Sequence, residues 1–324
     1  MPRFDLGLDE LLTYRPSVRE CADFDDFWAK TLTAARSAEG SASETSYAGL
    51  TPAFAITDVR FPGFGGEPVA AWLIRPRIAV DEVLPGVVNF IGYGGGRGLP
   101  YGRLEWPSAG YVTLVMDTRG QGSQWGAPGD TPDPHGSGPA VPGYLTRGID
   151  SAETYYYRRL MTDAVRAVDY LASRPDVDAN RIAVVGASQG GGLALAAGAL
   201  SSAAAVLADV PFLCHFERAV GLTGREPYEE IARYLAVHRD RIDEVFDVLS
   251  YFDGVNMAKR ISVPTRISVG IMDEICPPST VYAAANQIRD VVVDLYQFNM
   301  HEGGEVEQWA RQAAWLADVF GVGN

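Results

Sequence analysis

Six short apolar runs recur along this chain, at residues 86–91, 111–116, 181–185, 203–210, 266–271 and 291–298. They are rich in valine, isoleucine and leucine and read as strands buried on both faces. Helical patterns separate several of them, most clearly at 155–171 and 280–289. Buried strands joined by helices require a mostly parallel central sheet with helices on both faces, so the fold class is α/β. In such sheets ligands bind at the carboxyl ends of the strands, and the residues just after each run are where chemistry is to be sought.

The third run is followed at once by Gly186-Ala187-Ser188-Gln189-Gly190 and then by a helical stretch of small residues, 191–200. Strand, sharp turn and helix around Gly-x-Ser-x-Gly form a nucleophile elbow, where the serine sits at a strained turn that only glycine neighbours fit. With 35 glycines in the chain, the pentapeptide alone would read as an ordinary tight turn. Its flanking strand and helix make Ser188 the candidate nucleophile. A serine hydroxyl needs a base within hydrogen-bond reach and a third group to orient that base.

Only four histidines exist. His238 lies in a charged helical stretch and His135 in a turn-rich loop. His215, just past a strand end, is the runner-up. His301 follows the last strand in a short turn, the place and chain order a base of this chemistry requires. Asp273 stands two residues beyond the run ending at Ile271 and is selected by position to orient His301, with Glu274 as the alternative. The oxyanion of an acyl-transfer intermediate needs backbone donors, one from the residue after the nucleophile, here Gln189. The other comes from an earlier strand-end loop, Gly92-Tyr93-Gly94-Gly95-Gly96, where the Tyr93 amide is the candidate. Gly92-x-Gly94 with Asp117 downstream imitates a dinucleotide fingerprint, but Arg97 occupies the place of the third glycine. Neither a cofactor nor a metal is expected; no His-x-x-x-His or acid cluster is present.

Around this core, Phe24, Phe27, Trp28, Leu32 and Ala35 recur at helical spacing. Residues 1–50 are therefore expected to form a helical arm packed on the body. Residues 53–76 read as an antiparallel pair at a sheet edge. A Gly- and Pro-rich loop spans 120–148, and 212–253 reads as a charged helical insertion, a cap over the site or an oligomer contact. The whole, 1–324, is expected to be one domain. The net charge of −14 and the lack of any basic cluster argue against nucleic acid as a partner. No apolar stretch reaches the 18 or so residues of a membrane span, and the start of the chain has no basic segment leading into an apolar one. Three scattered cysteines fit a reducing cytoplasm.

At these residues the chain resembles the acetyl xylan esterase / cephalosporin C deacetylase family, carbohydrate esterase family seven of the α/β hydrolases. The resemblance rests on Arg119-Gly120-Gln121-Gly122, Gly186-Ala187-Ser188-Gln189-Gly190-Gly191 and His301-Glu302. Supporting similarity runs through 143–149, 154–159, and Asp273 with 276–280. It implies an α/β-hydrolase fold and removal of acetyl groups from short xylo-oligosaccharides and cephalosporin C without a cofactor. It also implies a cytoplasmic homo-oligomer, often a hexamer. Ser188, Asp273 and His301 would be the triad, Tyr93 and Gln189 the oxyanion hole, and Arg119–Gly122 a structural support around the elbow. The chain departs from the family at Ile91, where a histidine often precedes the Gly-Tyr pair. A broader carboxylesterase or a peptidase of the same fold is the nearest alternative, and a hydrolase-like binding protein the non-enzyme one.

Overall fold

The computed structural model describes residues 4–79, 82–124 and 127–322; Met1–Arg3 of the expected arm and Trp125 of the long loop lie outside them. The sheet starts with β1 (Ser43–Tyr47), β2 (Phe54–Pro62) and β3 (Pro68–Pro76), paired antiparallel. The six apolar runs follow as β4 (Leu84–Phe90), β5 (Val112–Met116), β6 (Val177–Ala187), β7 (Ala205–Asp209), β8 (Thr265–Gly270) and β9 (Val291–Tyr296). Their order is β1-β2-β3-β5-β4-β6-β7-β8-β9, parallel from β5 to β9.

Two-residue periodicity divides each central strand between two cores. Val87, Ala183, Val185, Ala205 and Leu207 pack with Trp106, Leu316 and Phe320, so the C-terminal helix Glu305–Phe320 covers that face. Their neighbours Val88, Phe90, Ile182, Val184, Val206 and Ala208 join the larger cluster with helices Tyr156–Ala172 and Gln189–Leu200. Both faces are dry, which is why the strands read as continuous apolar runs rather than alternating ones.

One expectation is corrected at the edge. The pair at 53–76 does not end the sheet: β1, the tail of the supposedly helical arm, pairs outside it. Ser43-Glu44-Thr45-Ser46-Tyr47 is largely exposed and polar, so it carries no apolar signal, and its pairing is decided by the free edge of β2. The rest of the arm contains the helix Phe24–Ser37, which buries the expected stripe Phe24, Phe27, Trp28, Leu32 and Ala35. Part of that stripe meets the end of the insertion: the Phe27 ring lies 4.6 Å from Tyr251 and 5.9 Å from Phe252.

The insertion contains helices Phe216–Leu222, Glu229–Val237 and Ile242–Ser250. Asp253 ties its two ends together. The buried carboxylate accepts the amides of His215 and Phe216 at 2.8 and 2.9 Å and caps the next helix through Val255 at 2.9 Å. Among the described residues no helix is long and apolar enough to cross a membrane.

Candidate active site

The turn after β6 places Ser188 at φ 58°, ψ −121°, in the left-handed region that L residues avoid. Backbone bonds hold it there. Its amide donates to Asp209 O at 2.9 Å, and its carbonyl accepts Gly192 and Phe212 amides at 3.0 and 2.9 Å. The helix then starts so close to β4 that a Cβ on Gly190 would lie 2.5 Å from Phe90 O. This is the physical requirement behind the second glycine of the pentapeptide.

β8 and β9 deliver the other two groups. Ser188 Oγ lies 2.9 Å from His301 Nε2, and His301 Nδ1 lies 2.8 Å from Asp273 Oδ2. With Nδ1 carrying the proton, His301 donates to Asp273 and accepts the serine hydroxyl. Asp273 is fully buried, and its other oxygen accepts the amides of Ile275 and Cys276 at 2.8 and 2.9 Å. The ends of three strands, β6, β8 and β9, thus bring Ser188, Asp273 and His301 into one hydrogen-bonded line.

The alternatives fall elsewhere. Glu274 does not bind His301; it pairs with Arg225 at 2.7 Å. His135 contacts Glu67, and His238 stacks on Tyr234. His215 is buried beside Tyr14, and burial, with Arg218 adding to it, pushes its pKa down to about 4. Because the folded value lies below the unfolded one, the unfolded chain binds more protons between about pH 6.5 and pH 4. Stability from this group is complete above that window and is lost as pH falls through it. The expected result is a loss of up to about 3 kcal/mol for wild type relative to His215→Asn between pH 7 and pH 4, read by urea unfolding. Equal pH slopes in the two proteins would contradict it.

Gln189 opens the helix Gln189–Leu200, so its amide has no intrahelical acceptor, while its side chain is wholly buried. Gln189 Oε1 accepts Gln121 Nε2 and Tyr157 OH, both at 2.9 Å, and Gln189 Nε2 donates to Ile91 O at 3.2 Å. Gln121 in turn accepts the Gly94 amide at 2.6 Å, and Gly122 N donates to Gly94 O at 3.2 Å. The Arg119–Gly122 segment therefore clasps the Tyr93 loop against the elbow. Arg119 itself is buried, with Nε and Nη2 on Asp163 at 2.5 and 2.9 Å and Nη1 on Glu67 at 2.7 Å. Gly120 fixes the neighbouring loop by donating to Thr131 O at 2.8 Å.

Two cavities meet at Ser188 and His301. One, of about 620 Å³, is lined by Ile91, Tyr93, Pro142, Pro227, Glu230 and Ile275. The other, of about 720 Å³, runs past Asn89, Trp106, Asp209, Trp309 and Gln312. Both are of the size small-molecule sites have. Among the described residues, one trio of metal-ligand type occurs: Asp273, Cys276 and His301, with donor atoms within 4.8 Å. Two of the three already bind each other. Burial holds the Cys276 thiol well above its usual pKa, so the thiolate a metal prefers is disfavoured.

Sequence reasoning missed Glu230. It sits in a charged helical stretch where nothing distinguishes a buried carboxylate from a solvated one, and only packing reveals it.

The sheet order and the strand-turn-helix at Ser188 define an α/β-hydrolase-fold protein. The family model described as "Acetyl xylan esterase (AXE1)" matches residues 1–319, and the chain belongs to that family of carboxylic ester hydrolases. The solved acetyl xylan esterase from Paenibacillus sp. R4 is 36% identical, with a TM-score of 0.90 over 98% of this chain and 99% of that one. Acetyl Xylan Esterase 1 from Thermoanaerobacterium sp. JW/SL YS485 is 31% identical, with a TM-score of 0.89 over 98% and 100%. Acetyl esterase Axe7A of Xylanibacter ruminicola is 35% identical over 158 residues, 45% of this chain. That match spans only 33% of the curated relative's length.

Proposed function

We propose that this chain is a serine esterase that removes acetyl groups from small acetylated substrates, xylo-oligosaccharides and cephalosporin C-like esters, through an acyl-enzyme intermediate. Ser188 Oγ attacks the acetyl carbonyl while His301 Nε2 takes its proton. Asp273 stabilises the imidazolium and holds its tautomer. The Tyr93 and Gln189 amides receive the negative charge on the carbonyl oxygen. The tetrahedral intermediate collapses as His301 protonates the leaving alcohol. Water, deprotonated by the same histidine, then releases acetate and restores the serine.

The observation that carries this reading is the unbroken line from Ser188 Oγ through His301 to buried Asp273, at 2.9 and 2.8 Å, opening onto a cavity of about 620 Å³. Ile91 borders both cavities at the nucleophile, which makes it a candidate for setting the acyl range. The reading extends to one domain whose 212–253 insertion serves as a lid or interface, and to a cytoplasmic homo-oligomer, a hexamer by resemblance.

The test is kcat/KM for p-nitrophenyl acetate, butyrate and octanoate. A fall of about tenfold or more from acetate to butyrate, steeper still to octanoate, is expected of a small acyl pocket. Preference for the longer esters would overturn the deacetylase reading while leaving a serine esterase.

A further inference from the structure

Glu230 lies in the insertion helix Glu229–Val237 and is only 2% exposed, yet its carboxylate borders the cavity that contains Ser188. One oxygen accepts the Tyr93 hydroxyl and the other accepts the Leu145 amide at 2.9 Å. The Tyr93 hydroxyl in turn accepts the Tyr144 amide at 2.7 Å, and its ring is flanked by Tyr144 and Phe212. Gly143 makes room for this junction: at φ +133°, a Cβ there would stand 2.2 Å from the carboxylate. Three segments remote in sequence therefore converge on one acid: the loop after β4, the long loop at 143–145 and the insertion.

A buried carboxylate is costly without a cation, and the nearby acid Glu226 raises that cost further. Tyr93, Tyr144, Tyr155 and Tyr157, all neutral, are its titratable neighbours from the other elements. Burial pushes the carboxyl up to about 7, while the Tyr93 hydroxyl and the Leu145 amide pull it back toward the ionised form. A costly buried acid beside a reactive serine marks a site where geometry is held for function.

We propose that Glu230 is a positioning residue for the ester hydrolysis described above: it anchors the Tyr93 side chain and so aims the Tyr93 amide at the oxyanion, joining the insertion to the catalytic centre. This rests on the serine-esterase reading. The carboxylate touches no reacting atom. It acts by fixing the loop whose amide must lie within hydrogen-bond distance of a charge that develops only in the transition state.

The experiment measures kcat and KM for p-nitrophenyl acetate in wild type, Glu230→Gln, Tyr93→Phe, the double variant and Ser188→Ala, with melting temperatures for each. Glutamine keeps the shape but cannot accept both hydrogen bonds, because its amide nitrogen must face a donor. The expected result is a fall in kcat of roughly 10- to 100-fold at KM within about twofold, in each single variant. The double variant should be no more than about twofold below the worse single one, since both remove the same link. Unchanged kcat, a rise in KM alone, or multiplying losses in the double variant would overturn the proposal. If Glu230→Gln does not fold, Tyr93→Phe decides by the same kcat criterion, because it deletes only the hydroxyl. Turnover that survives in Ser188→Ala removes the esterase reading itself. Loss there, with Glu230→Gln and Tyr93→Phe unaffected, removes only the role assigned to Glu230.

Discussion

Ser188→Ala is expected to lower kcat for p-nitrophenyl acetate by about 10⁴-fold or more without unfolding the protein. The substitution deletes one oxygen and leaves the three backbone hydrogen bonds of residue 188, to Asp209, Gly192 and Phe212, that hold the elbow in its left-handed conformation. Alanine therefore keeps the strained turn, which costs on the order of 1–3 kcal/mol and is held by the surrounding bonds. What disappears is the atom 2.9 Å from His301 Nε2. His301→Ala should cost a similar factor, and the pair together little more than either alone, because nucleophile and base act as one unit. The checks are steady-state kinetics and labelling by a fluorophosphonate, which reacts only with an activated serine. Activity retained in Ser188→Ala would refute the assignment of the nucleophile.

Arg119→Leu is expected to destabilise the protein by about 3–5 kcal/mol, the range seen when one partner of a buried ion pair is removed. Burial works against the charge on Arg119, but the carboxylates of Asp163 and Glu67 outweigh it and hold the guanidinium's pKa above its usual value. Leucine would strand Asp163, which is fully buried and among the described residues keeps the Phe64 amide at 2.8 Å as its remaining donor. The loss should reach the site too. Arg119 O accepts the Tyr156 hydroxyl at 2.6 Å, and that hydroxyl accepts Gln121 Nε2, whose side-chain oxygen holds Gly94. Urea unfolding measures the first effect and kcat the second. A loss under about 1 kcal/mol would mean that the network is replaceable packing rather than the frame of the Tyr93 loop.

Much of the frame was legible because its signals are local. The apolar runs became strands β4 to β9, and the glycines around Ser188 reported a turn that other residues cannot make. Chain order and position after the last strand selected His301 over His215, and position just beyond a strand end selected Asp273 over Glu274. The resemblance at Arg119–Gly122 marked a supporting role, although not its route through Gln121 to both the elbow and the Gly94 amide. β1 was misread as part of a helical arm because its polar residues carry no periodic apolar signal, while a neighbouring strand's open edge recruits them.

The sequence by itself determined the α/β class, the turn at Ser188 and the family, since apolar period, glycine placement and motif spacing are properties of neighbours along the chain. Only the tertiary structure decided that Glu230 is buried against Tyr93 and that β1 closes the sheet edge. Burial of a polar residue depends on what approaches it from distant segments, and no local pattern encodes that.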